Sequence, residues 1–190
     1  MNIIETNIPG VVILEPRRFE DERGWFFESY SQRWFAENVC DTVFVQDNES
    51  RSRQHVIRGL HYQLPPMAQS KLVRVISGTI LDVAIDIRRG SPTFGQHVAV
   101  ELSGENFQQL FIPRGFAHGF AVLSKETVVQ YKCDNLYSPE HEASIFHDDP
   151  ALHINWLVEP RKVIQSLKDN DAQRFADAPL FDYGQNLYAR

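Results

Sequence analysis

From Gly10 to Cys133 the chain is a succession of short runs rich in Val, Ile and Phe, each closed by Gly, Pro, Asn or Ser: GVVILEP, TVFVQDN, HVIRGLHYQL, KLVRVISG, TILDVAIDI, HVAVEL, QLFIP, GFAVL and TVVQYKC. Such runs read as strands, because β-branched and aromatic side chains suit a pleated surface and the punctuating residues supply the turns. Turn signals recur about every 8 to 12 residues, and no long amphipathic pattern intervenes to carry a parallel crossover. The spacing predicts an all-β chain, a jelly roll or antiparallel β-sandwich with a few short peripheral helices. At 190 residues, 43 % of them hydrophobic, it is expected to form one well-buried domain over 1–190. The strand rhythm is lost beyond Trp156, so a peripheral C-terminal segment is expected from about residue 157, packed outside or closing over a cavity.

Helix signals occur twice, in SQRWFAENV behind a possible Ser31 cap and in one or two turns around SLKDNDAQRFADA. In RVISGTILDV, Ser77 and Gly78 between alternating apolar runs read as a hairpin turn. Period-two spacing puts Leu81, Val83, Ile85 and Ile87 on one face and Ile80, Asp82, Ala84, Asp86 and Arg88 on the other, a half-buried strand. QLPPMAQS reads as a surface loop between strands.

The formal net charge is -6, so no overall positive field points to nucleic acid or an acidic membrane, and an anionic ligand would have to be held by local arginines. Cys40 and Cys133 show no metal-ligand or CxxC spacing, which makes a disulfide framework or a structural zinc site unexpected. The N-terminus lacks the pattern of a signal peptide, and no run approaches the roughly 20 apolar residues of a membrane span. A cytoplasmic protein is expected.

One strand breaks the pattern. IRGLHYQ carries Arg58, His61 and Tyr62 around Gly59, where a core strand would carry apolar residues or a clean alternation. A regular pleat sends Arg58 and His61 to opposite faces. They share one only if the strand bulges at Gly59, the kind of irregularity glycine permits. Taken alone, a structural histidine and a surface arginine are the commoner arrangement. Lys71, Val73 and Val75 share a face, so Lys71 either snorkels to water or sits in a cavity as an oxyanion partner. Phe116, His118, Phe120 and Val122 form another face, and Thr127, Val129, Tyr131 and Cys133 a third. Arg51, Arg53, Arg88 and Arg89 read as solvated loop charges. Phosphate-loop, GxSxG and His-x-His patterns are missing, so a glycine-rich phosphate loop, a serine hydrolase and a catalytic metal are all disfavoured.

The stretches DERGWFFESY, QDNESRSRQHVIRGLHYQLPPMAQSKLVRVISGTILDVAIDIRRGSPTFGQHVAVELS, FIPRGFAHGFAVLS and YSPEHEASIFHDDPALHINW together resemble the dTDP-4-dehydrorhamnose 3,5-epimerase family, over nearly the whole chain and in the family's order. The resemblance implies a cupin-type jelly roll, a homodimer, and an epimerase that needs neither metal nor organic cofactor. It implies conversion of dTDP-4-dehydro-6-deoxy-D-glucose to dTDP-4-dehydro-L-rhamnose in dTDP-L-rhamnose biosynthesis. PRGFAH is similar to the second cupin box. The family's base matches His61, oriented by Asp169; its tyrosine acid matches Tyr131; and Lys71 matches the residue that stabilises the enolate. Arg58 and His118 match substrate contacts, and Arg23, Glu28, Gln46, Asp47, Asn48, Glu142 and Lys168 match the remaining binding positions. Arg23 and Glu28 are expected to reach the partner's site. A relative that inverts only C3 or only C5, or a ketoisomerase, fits the same motifs; a cupin that binds sugar nucleotides without turnover fits them less well.

Overall fold

The computed structural model describes residues 1–189. Its strands are β1 (Asn2–Glu5), β2 (Val12–Glu15), β3 (Phe19–Asp21), β4 (Gly24–Phe26), β5 (Gln46–Arg53), β6 (Ile57–Gln63), β7 (Lys71–Ser77) and β8 (Thr79–Asp86). There follow β9 (Arg88–Arg89), β10 (His97–Ser103), β11 (Gln109–Ile112), β12 (Phe116–Val122), β13 (Glu126–Cys133), β14 (Glu142–Ser144) and β15 (Phe181–Asp182). Two short helices accompany them: α1 (Gln32–Asn38), whose Ser31 cap accepts from Trp34 N–H, and α2 (Leu167–Asn170), capped by Ser166. None is long and apolar enough to cross a membrane.

Two antiparallel sheets face each other, one in the order β1-β2-β11-β7-β13-β5 and the other β10-β8-β12-β6-β14. Alternation sends Val73, Val75, Leu110, Ile112 and Val129 inward from the first sheet, where they meet Ile80, Ala84, Val98, Leu102, Phe116, Phe120 and Val122 from the second. Both outer faces are covered as well. Leu72, Phe111, Val12 and Leu14 pack under Phe35 of α1, and Leu60, Tyr62, Leu81, Val83 and Ile85 pack under Leu152, Trp156, Ala178 and Phe181 of the C-terminal segment. The all-β sandwich of the sequence reading is the observed architecture.

Four details differ from that reading. Strand β8 is buried on both faces rather than half-buried, because the C-terminal segment lies on the side opposite the core. The Ser77–Gly78 turn joins no hairpin. Strands β7 and β8 belong to different sheets, and Gly78, at φ +84°, is the corner between them. TVFV is not strand. The strand starts at Gln46 and runs through the hydrophilic QDNESRSR, held along its length by β13. Arg88 is no solvated charge: it pairs with buried Asp86 at 2.8 Å and lies over the rings of Phe116 and Tyr183.

Candidate active site

The pocket is made by register. In the first sheet Tyr131 lies beside Val73 and Asn48, and Cys133 beside Lys71 and Gln46. These side chains share the inward face at one end of the sandwich. From the second sheet β6 brings His61 and Gln63. Together with Gln69, Tyr137 and Glu142 they line a cavity of 170 Å³.

Strand β6 bulges as its composition demands. His118 of β12 pairs with His61, but Phe120 pairs with Arg58, so two residues of β6 oppose Gly119 alone. Gly59 occupies φ +113°, a backbone conformation open to glycine and strained for other residues. The extra residue restores both polar side chains to the inner side: Ile57, Leu60 and Tyr62 join the outer cluster, leaving Arg58 and His61 to the cavity side. Tyr62 instead anchors the tail, donating from its hydroxyl to Pro179 O at 2.6 Å. Arg58 Nε donates to Ser52 Oγ at 3.1 Å, and its charge acts on Tyr131.

His61 Nε2 lies 2.6 Å from Asp169 Oδ1. Asp169 is buried on α2, and its other oxygen accepts from Ser166 Oγ at 2.8 Å. Burial works to raise the Asp169 pKa, but hydrogen bonds from His61 and Ser166 with the charge of His61 outweigh it and hold the group below the usual carboxylate value. An ionised Asp169 accepts the Nε2 proton, so Nδ1 is the nitrogen left to take a proton from a ligand. Burial pushes the Tyr131 phenol up, with Cys133 and Glu142 adding to the effect, and keeps it protonated. Burial pushes Lys71 down, opposed by Cys133, Asp82 and Glu142, and its Nζ stands 5.9 Å from the centre of the Tyr131 ring.

At the mouth, Glu142 accepts from Tyr137 Oη at 2.6 Å and pairs with Lys168, tying α2 to the loop before β14. Burial opposes ionisation of Glu142, but the Lys168 and Tyr137 hydrogen bonds lower its pKa. His118 is buried behind this wall, with Nε2 2.7 Å from Asp82 Oδ1.

The structure therefore gathers His61, Asp169, Tyr131, Lys71, Gln46, Asn48, Glu142 and Lys168 around one cavity, with Arg58 and His118 beside it. Asp47 is turned to the outer face of β5, where it pairs with Lys132 at 2.9 Å. Arg23 sits at the exposed tip of the β3–β4 arm, paired with Asp21, and exposed Glu28 follows that arm; neither lines this cavity within one chain. Gln63, Gln69, Cys133, Tyr137 and Asp82 were not singled out from the sequence. Period-two spacing from His61 marks Gln63, and from Tyr131 it marks Cys133, whereas Gln69 and Tyr137 lie in loops that carry no such signal.

The match to known proteins spans this whole arrangement. The family model for dTDP-4-dehydrorhamnose 3,5-epimerase matches residues 5–177. A dTDP-4-dehydrorhamnose 3,5-epimerase of Shigella flexneri is 53 % identical over 182 residues, covering 95 % of this chain and 99 % of its own. The crystal structure of a dTDP-6-deoxy-D-glucose-3,5-epimerase from Legionella pneumophila, in complex with dTDP-4-keto-L-rhamnose, aligns with a TM-score of 0.93 at 48 % identity, over 97 % of this chain and 99 % of that one. A 3'-monoepimerase from Streptomyces bikiniensis in complex with dTDP-quinovose aligns with a TM-score of 0.82 at 30 % identity, over 90 % and 86 % of the two chains. Fold and sequence agree over nearly the full length, and the chain belongs to the dTDP-4-dehydrorhamnose 3,5-epimerase family.

Proposed function

We propose that the chain converts dTDP-4-dehydro-6-deoxy-D-glucose to dTDP-4-dehydro-L-rhamnose, with His61 as base, Tyr131 as acid and Lys71 as the charge that stabilises the intermediate. The observation that carries the reading is the meeting of a histidine–carboxylate pair, a protonated tyrosine and a half-buried lysine in one cavity. The protons at C3 and C5 are both α to the C4 ketone, so removing either gives an enolate whose charge gathers on the C4 oxygen. His61 Nδ1 takes the proton, and Asp169 stabilises the imidazolium that forms. The Lys71 ammonium offsets the oxyanion. Inversion needs a new proton from the opposite face of the ring, and the Tyr131 phenol on the facing sheet supplies it.

Arg58 at the cavity edge is assigned to the ligand, with Gln46, Asn48, Glu142 and Lys168 around it and His118 behind. Arg23 and Glu28 are assigned to the site of a second copy. In support, the β3–β4 arm exposes Phe19, Trp25 and Phe26, the last at 70 %, an apolar surface of the kind a homodimer covers. The chemistry asks for no metal or organic cofactor, and a nucleotide-sugar substrate places the enzyme in the cytoplasm.

Incubation with the 4-keto sugar nucleotide in D₂O, followed by NMR, tests the reading. Deuterium at both C3 and C5 is expected, and His61→Ala is expected to abolish both exchanges while dTDP still binds. Incorporation at one carbon alone would instead make the enzyme a monoepimerase, the activity of the Streptomyces bikiniensis relative. No exchange at either carbon would refute the assignment.

A further inference from the structure

Two histidine–aspartate pairs lie side by side at the end of the sandwich, and the reaction as assigned uses only one of them. The second joins His118 Nε2 to Asp82 Oδ1 at 2.7 Å. Asp82 is 0 % exposed, on β8. The pairing of β8 with β12 sets Asp82 beside Phe120 and His118 beside Ala84, so both polar groups interrupt an otherwise apolar inner face.

The two pairs differ in one respect. Both oxygens of Asp169 are engaged, whereas Asp82 Oδ2 has no hydrogen-bond partner among the described residues. A buried carboxylate oxygen left without a donor is costly to the fold. Structures keep such groups where function requires the charge. The charges around the pair belong to Lys71 of β7 and His61 of β6, which both act on His118, and Asp82 acts in turn on Lys71.

We propose that Asp82 is a positioning residue of the reaction: it holds His118 in the Nε2–H tautomer, so that the ring keeps Nδ1 as an acceptor toward the Lys71 side of the cavity. A histidine with the opposite tautomer would present a second N–H there and compete with Lys71 for the C4 oxygen. With Nδ1 unprotonated, His118 steadies the ammonium and leaves it as the donor to the oxyanion. Asp82 thus does for His118 what Asp169 does for His61, one pair serving the proton and the other the charge. The inference rests on the assignment of Lys71 to the C4 oxygen.

The unmodified protein offers the first test. Nitrogen-15 NMR of labelled histidines is expected to show His118 as the Nε2–H tautomer, and an Nδ1–H tautomer overturns the proposal. The second uses Asp82→Asn and the apolar near-isostere Asp82→Leu. Both are expected to lower kcat by about 10- to 100-fold, the usual cost of losing an orienting partner, with KM and dTDP affinity within twofold. Asp82→Asn keeps an oxygen for the His118 N–H and sheds the burdensome charge, so its Tm is expected to stay at or above that of the unmodified protein. Asp82→Leu leaves that N–H unpaired and is expected to lower Tm. In a His118→Phe background the Asp82→Asn loss is expected to shrink below threefold, as for residues acting as a unit. Unchanged kcat in both variants, or a kcat loss in Asp82→Asn that tracks a fall in its Tm, overturns the proposal. If the unmodified protein exchanges no deuterium, the assignment of Lys71 falls with it; if it exchanges normally while Asp82→Asn matches it, only the role of Asp82 falls.

Discussion

Gly59→Ala tests the bulge on which the site depends. An added Cβ at Gly59 would stand 2.6 Å from both Gly119 Cα and His118 O, backbone atoms of the neighbouring strand that no rotamer change can move aside. Ordinary contact needs about 3.4 Å or more, so β6 and β12 would have to part by most of an ångström where they carry His61 and His118. The φ of +113° adds about 1–3 kcal/mol of backbone strain for a residue with a side chain. Forced overpacking adds a further 1–3 kcal/mol or so. A loss of about 4 kcal/mol follows, and at roughly 3 °C per kcal/mol for a chain of this length the midpoint falls by about 12 °C. Gly24→Ala separates the two contributions, because Gly24 has a similar φ of +123° with no atom within 4 Å of the added Cβ. It should show the strain alone, about 2 kcal/mol. Scanning calorimetry on both variants gives the comparison, and NMR in D₂O on folded Gly59→Ala should show exchange at C3 and C5 strongly reduced. A Gly59→Ala midpoint within 2 °C of the unmodified protein, or equal to that of Gly24→Ala with full exchange, would refute the argument that this close approach aims His61.

Lys71→Met keeps the length of the side chain and removes its charge, and should lower kcat by about 10²–10³ if the lysine faces the enolate oxygen; unaltered turnover in a steady-state assay would remove it from that role. The Asp169 carboxylate is held below its ordinary value in the fold, so its contribution to stability is fully present above the unfolded value near 3.9 and is lost as pH falls through the lower folded value. The Tm gap between the unmodified protein and Asp169→Asn should therefore be widest above about pH 4 and close below it in a thermal melting series, and a gap that widens on acidification would contradict the ion-pair account. Phe26→Asp puts a charge into the exposed arm, and should yield a monomer by sedimentation with poor turnover if Arg23 and Glu28 serve a second copy; a fully active monomer would end that assignment.

Much of the site was legible because strand faces follow from a period of two. Tyr131 with Cys133, Lys71 with Val73, and Phe116 with His118 are each on the inner face that alternation gives them. Gly59 was readable for a related reason: two polar residues three apart cannot share a face without an inserted residue, and the bulge supplies it. Asp169 was legible only through resemblance, since its partner His61 is 108 positions away and nothing local joins them. Asp82 was read as a polar position on a half-buried face. Its burial depends on the first sheet facing it across the core and on His118 arriving from β12.

The sequence by itself determined the class of fold, the direction of most side chains and, through its resemblance to a known family, the chemistry. These are local or cumulative properties: side-chain volume, alternation, turn residues and motif order. Only the tertiary structure decided which strands are neighbours. Backbone donors and acceptors are the same in every strand, so pairing is chosen by which apolar faces bury one another across the layers, and that choice involves residues far apart in the chain. The turn at Ser77–Gly78 reads locally as a hairpin, yet it opens into a corner between two sheets because Val73 and Val75 must face Ile80 and Ala84 across the core.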